Sequence, residues 1–254
     1  MSRAAHWSLL LALALVVLLA GCTAFGDEPT RDDRAVAALE NATESVEDAE
    51  TYRYETEITV IGAPGELIEG DSTGVVDHDE RSIHANTTFQ GETLESYTID
   101  DTVYQECPSP WGSWEVDDVM GDDWTSEAPA HSQLALFESG DLHWNGTETI
   151  DDREVVRLTG SPSEDALDTD DTAGPVFDFG GPSIENAATT LLIDAETDRP
   201  IETTLEFEVA DGDETVSASS TTTYSAYDED VSIEVPDEVH DDQYELGCPQ
   251  GWRY

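Results

Sequence analysis

The chain reads as mainly β with some helix (α+β): a meander of antiparallel strands, one N-terminal helix and one short helix in the middle. Three observations predict this. From Thr51 onward apolar and polar residues alternate with a period of two, the pattern of a strand wetted on one side. The alternating runs are short and are separated by Gly, Asp and Asn turn chemistry, the punctuation of hairpins. Ahead of them a single stretch repeats at spacings of four and three, the helical period.

That stretch carries Ala35, Leu39, Ala42, Val46 and Ala49, which places a helix over about residues 31–49, with Thr30 and Asp33 resembling a capping box at its start. Its apolar stripe is narrow and made of small residues, so it should lie against a surface rather than run through a core. In the first strand Tyr52, Tyr54, Thr56, Ile58 and Val60 share one face, and Arg53, Glu55, Glu57 and Thr59 the other. Further strands are expected over Leu67 to Asp77, Arg81 to Gln90, Thr93 to Asp100 and Thr102 to Glu106. Residues 108–130 hold Trp111, Trp114 and Trp124 among prolines and glycines and are less regular, followed by a short helix from Ser132 to Ser139. A hairpin from Leu142 to Ile150 and Glu154 to Thr159 turns at Asp151-Asp152-Arg153; residues 161–183 read as an acidic loop. The clearest hairpin is late. It joins Thr189 to Asp194 with a strand opened by Pro200, in which Ile201, Thr203, Leu205, Phe207 and Val209 face inward, and Thr215 to Tyr227 returns after Asp211-Gly212.

The N-terminus has export-signal anatomy: Arg3, an uncharged apolar run from Leu9 to Ala20, then Gly21 and Cys22 ahead of polar sequence. The run is shorter than the roughly 20 residues a permanent bilayer span needs, so cleavage is the better reading. Leu19-Ala20-Gly21-Cys22 resembles the lipobox of bacterial and archaeal lipoproteins, in which the cysteine sulfur takes the lipid; the alternative is an ordinary secretory signal followed by a chance cysteine. The expected organisation is a signal peptide over 1–21, a lipidated tether over 22–30 and a single domain over 31–254. Lipid on Cys22 would hold that domain to the outer face of the cell membrane, stably if it carries two acyl chains.

Nine arginines, no lysine and 59 acidic residues leave a formal charge of −50, and cleavage removes one arginine more. Self-repulsion of that size strains a compact fold in dilute buffer, whereas at molar salt the screening length falls to about 3 Å. The composition therefore fits an extreme halophile. It excludes nucleic acid as a partner, because binding there needs a basic patch. With Cys22 taken by lipid, Cys107 and Cys248 remain as a pair, each followed by proline and, four residues on, by tryptophan; a disulfide is expected, two free thiols being the alternative. Asn41, Asn86 and Asn145 open Asn-x-Thr sequons, candidate N-glycosylation sites in an exported chain. Six histidines are scattered; His78 and His84 could share a hairpin, but polar surface is the expected role, and neither a metal site nor a cofactor is predicted. No nucleophile-elbow, zincin or phosphate-loop spacing occurs, and paired carboxylates are everywhere in so acidic a chain, so no catalytic residue is assigned.

A lipidated cysteine, one helix, "AETYRYETEITV" opening the strands, the hairpin "TLLIDAETDRPIETTLEFEV" and a closing "DEDVSIEVPDEV" together resemble the LolA-type lipoprotein-carrier superfamily, and more narrowly haloarchaeal lipoproteins of this layout. The resemblance covers about residues 33–240. It implies an antiparallel open half-barrel whose concave apolar face is covered by helices and can hold an acyl chain. No carrier motif maps residue by residue, so no binding residue is carried over. Two functions follow: a non-enzymatic carrier of a lipid or other apolar ligand, or a structural lipoprotein with a filled core that holds an envelope protein partner.

Overall fold

The computed structural model describes residues 29–62, 67–118, 124–167, 184–211, 214–241, 243–244 and 248; Cys22 and its tether through residue 28, and most of the acidic loop (168–183), lie outside them. Helix α1 (Asp33–Glu47) leads into strands β1 (Thr51–Ile61), β2 (Leu67–Asp77), β3 (Ser82–Phe89), β4 (Glu92–Ile99), β5 (Thr102–Glu106) and β6 (Trp114–Asp118). A 3-10 turn (Trp124–Glu127) and α2 (Pro129–Ala135) follow, then β7 (Asp141–Ile150), β8 (Arg153–Ser161) and α3 (Glu164–Leu167). The chain closes with β9 (Ile184–Asp194), β10 (Pro200–Asp211), β11 (Glu214–Ser225), α4 (Asp237–Asp241) and β12 (Gln243–Tyr244).

All twelve strands form one open sheet in the order β12-β6-β5-β4-β3-β2-β1-β11-β10-β9-β8-β7. Every pairing is antiparallel except that of β12 with β6. The first strand therefore sits mid-sheet, closed against β11 by a long-range pairing, with one hairpin meander running out on each side of it.

Register fixes which residues share a face, because a side-chain period of two carries across every rung. Tyr54 stands opposite Gly74 and Tyr224, and Ile58 opposite Gly70 and Ser220. Following the rungs outward puts Ile83 and Ala85, Thr203, Leu205 and Phe207, Leu191, and Leu158 on the same inner face. The apolar residues among them form one core cluster with Ala35, Leu39, Ala42 and Val46 of α1, Leu134 of α2, and Trp124. Thus α1 lies on the concave side of the sheet, and its small residues let its backbone come close.

The expectations hold for most strands and fail at informative places. The N-cap of α1 is Asp32, whose carboxylate accepts from the Arg34 N–H at 2.8 Å, rather than Thr30. The middle helix begins three residues early, at Pro129, because proline suits the first helical turn. Strand β6 and the first half of β9 were not anticipated.

A second, smaller core lies on the opposite face. Tyr97, Tyr104 and Trp114 pair across β4, β5 and β6 off the inner-face rungs, and Ile233, Val235 and Val239 pack over them. The C-terminal segment is thus an outer strap. Cys107 and Cys248 are joined by a disulfide, with Cα atoms 5.6 Å apart, which fastens the strap's end beside β5.

Candidate functional site

The inner face is the feature with the chemistry to bind something. At the end of the sheet where β1 begins it is sealed. Tyr52 is fully buried, and its hydroxyl accepts the Ala130 N–H at 3.3 Å, pinning the start of α2 to the sheet. Its ring meets His78 edge-on with centroids 5.7 Å apart, and His78 in turn lies 5.5 Å from both Trp124 and His131. His78 is therefore part of the packing under the helical cover, not polar surface. It sits in the β2–β3 turn, is hydrogen-bonded to the backbone of Ala49, and is held below the usual histidine range chiefly by burial, against the pull of Asp77 and Asp79. His84 shares the hairpin but points to the outer face, where Glu95 takes its Nε2 at 2.7 Å and Tyr97 stacks on it.

A belt of hydroxyls crosses the middle of the inner face. Thr56 and Thr222 meet at 2.9 Å, and Gln133 of α2 donates to Thr222 at 2.8 Å. The Thr203 hydroxyl bonds to the Gln133 amide oxygen and lies 3.1 Å from the Tyr224 hydroxyl. Ser72 reaches Thr87 at 3.0 Å. Buried polar atoms demand partners, and here they satisfy one another, so Gln133 locks α2 onto β10 and β11. Burial pushes the Tyr54 hydroxyl up to about 12, against a hydrogen bond to Ser72, and raises Tyr52 and Tyr224 likewise. These three hydroxyls therefore stay neutral at any ordinary pH.

Toward the opposite end the face is apolar again, with Ile58, Val60, Leu205, Phe207 and Ala218 buried. There Ile68, Val216 and Ile184 pack against the core while remaining partly exposed, which gives this end an apolar rim. This stretch of the inner face, apolar toward both ends with a belt of neutral hydroxyls between them, suits an apolar chain better than an ionic molecule.

No protein-family model matches the sequence, and no curated protein matches it. Solved structures do. The chain shares its fold with the lipoprotein LppX. That protein, from Mycobacterium tuberculosis, matches with a TM-score of 0.51 at 14% identity, over 80% of this chain and 100% of LppX. LprF from Mycobacterium bovis matches at 0.46 and 15% identity, over 82% of this chain and 99% of its own. A LolA superfamily protein from Nitrosomonas europaea matches at 0.33 and 13% identity, over 81% and 96%. At such identity the likeness to LppX concerns the fold alone. It agrees with the open half-barrel that the sequence resemblance implied.

The remaining predicted sites are dispersed. Asn41 is exposed on α1, Asn86 is half-buried in β3 and Asn145 is exposed in β7. Among the described residues no group of three His, Cys, Asp or Glu side chains could hold a metal ion, and no helix is long and apolar enough to cross a membrane.

Proposed function

We propose that this chain is a non-catalytic lipoprotein, anchored through Cys22 to the outer face of the cell membrane, that binds a lipid or another apolar molecule on its inner face. The observation that carries the reading is the apolar stretch of inner face on β1, β2, β10 and β11 with its partly exposed rim at Ile68, Val216 and Ile184, set in a fold shared with LppX. Catalysis is no part of the proposal; the belt hydroxyls of Thr56, Thr222, Thr203 and Tyr224 and the Gln133 amide are engaged with one another. The rival reading is a structural lipoprotein whose core is simply full. Native mass spectrometry of the purified protein separates the two. A co-purifying lipid, displaced when Val216→Trp narrows the rim, supports the carrier; its repeated absence with no uptake of added lipid overturns it.

A further inference from the structure

The two edges of the sheet differ. At one, β12 is a strand of two residues, too short to template another chain. At the other, β7 runs for ten residues and pairs with β8 on one side. Arg31 bridges to Leu142, and the Asp32 N–H reaches the Leu142 carbonyl oxygen at 2.9 Å, so the entering chain covers the start of the far side. From Trp144 to Ile150 no other strand lies against that side among the described residues. Long edges are commonly blunted by lysine, proline or a bulge, and β7 holds neither lysine nor proline. Its few charges are no substitute in molar salt, where the screening length falls to about 3 Å.

The bulge is present, and it coincides with a sequon. Trp144 stands opposite Leu158 and Thr147 opposite Val156, so Asn145 and Gly146 together oppose Arg157 alone. Gly146 has φ +103°, and a Cβ there would meet nothing within 4 Å, so the kink is surrounded by open space. Trp144 packs toward the core, whereas Asn145 and Thr147 are exposed. The other two sequons are held differently. Asn41 lies within α1, where the Thr43 hydroxyl donates to the Leu39 carbonyl oxygen at 3.1 Å. Asn86 is half-buried in β3, paired with Thr73 of β2 and Glu95 of β4, and the Thr88 hydroxyl meets that of Thr93 at 3.0 Å. A transferase must reach the asparagine amide together with the hydroxyl two residues on. Of the three sequons, the one at Asn145 presents both on a kinked backbone that is paired on one side.

We propose that Asn145 is the N-glycosylated residue of this chain and that its sugar covers the open edge of β7. The inference rests on the export that the proposed function requires. The donor is a glycan joined through its anomeric carbon to a phosphorylated lipid carrier. The Asn145 amide nitrogen attacks that carbon, a C–N bond forms, the C–O bond to phosphate breaks, the amide gives up one proton, and the phosphorylated carrier leaves with the electron pair. A bulky, solubilising group at the kink then stands where a second strand would have to pair.

The test uses the full-length protein isolated from the membranes of the cells that make it. Cleavage after glutamate puts the three sequons on separate peptides, whose masses show which asparagine carries sugar. Asn145 should carry it, Asn41 and Asn86 should not, and Asn145→Gln or Thr147→Ala should each remove the whole added mass. Sugar absent from Asn145, equally present on Asn41 or Asn86, or surviving in either variant overturns the site. Both positions are exposed, so the variants should fold, and matching melting temperatures check this. In sedimentation at molar salt both variants should self-associate more than wild type at equal concentration, whereas Asn41→Gln should not; unchanged association overturns the covering role. The failures are separable. A mature chain that begins at Cys22 yet is bare at Asn145 sinks this inference alone, whereas a chain that keeps residues 1–21 and is bare sinks the export reading and this inference with it.

Discussion

Gly74 shows how tightly single residues are constrained under the helical cover. A Cβ there would lie 2.5 Å from the Tyr54 ring and 2.6 Å from the His84 carbonyl oxygen, and the latter is backbone that cannot step aside. Gly74→Ala should therefore destabilise the fold by about 1–3 kcal/mol, the cost of overpacking a close-packed site. An unchanged urea midpoint would refute that crowding. His78 makes a different prediction. Its native pKa lies below the usual 6.5, so the unfolded chain takes up the extra proton first. Stability from this group is thus complete above the ordinary histidine range and falls as pH drops through about 6.5 toward the depressed native value. Wild type should lose melting temperature between about pH 7.5 and about pH 5.5, above the range where most carboxylates titrate, and His78→Gln should lose less. Parallel pH profiles for the two proteins would show that His78 is not the group responsible.

At the level of elements, what the sequence could reveal depended on whether the cause was local. Strands β1, β2 and β5 were legible because their alternation is complete within one run, and the turn at Asp151 and Asp152, both with positive φ, is written in residues that tolerate that conformation. Trp114-Glu-Val-Asp-Asp118 offers only two apolar residues, and its pairing with β5 decides its state, so the run alone could not. The start of β9 is similarly obscured by Asn186 at positive φ beside a register shift. Tyr52, Tyr54, Phe207 and Tyr224 were recognisable as core, but the burial of His78 depends on Trp124 and His131, distant in sequence. The outer strap was equally hidden: Val-Ser-Ile-Glu-Val alternates like a strand, yet Ile233 and Val235 pack over Tyr97 and Trp114 without joining the sheet. The disulfide spans a sequence separation of 141 residues to hold that strap. In the chain-entropy account, a loop of that order is worth about 4–5 kcal/mol. Replacing both Cys107 and Cys248 by serine should lower stability by a few kcal/mol and raise exchange in 233–239 before the rest of the sheet. A double variant with wild-type stability would mean the strap holds without its staple.

For the whole molecule, the decisive quantity is charge. The described ion pairs, Arg81 with Asp100 and Asp101, Arg153 with Asp194, Arg157 with Glu148 and Arg199 with Asp228, are largely at the surface. Exposed pairs contribute about 0–1 kcal/mol each, so a handful cannot offset the mutual repulsion behind a net charge of −50. Acidic residues alternate along the outer side of β1 and β10, as Glu55 and Glu57 and as Glu202, Glu206 and Glu208, and only β11 separates the two rows, which puts them two strand spacings of about 4.8 Å apart. Screening must do what pairing does not. At about 0.1 M salt the Debye length is about 10 Å, which spans two strand spacings, whereas at 1 M it is about 3 Å and no longer spans one. The melting temperature should therefore climb steeply between those concentrations and flatten above them, and sodium and potassium chloride should act alike because screening depends on ionic strength. A melting temperature independent of salt would refute the halophilic reading of the composition, and a strong preference for one cation at equal ionic strength would point to bound ions in place of screening.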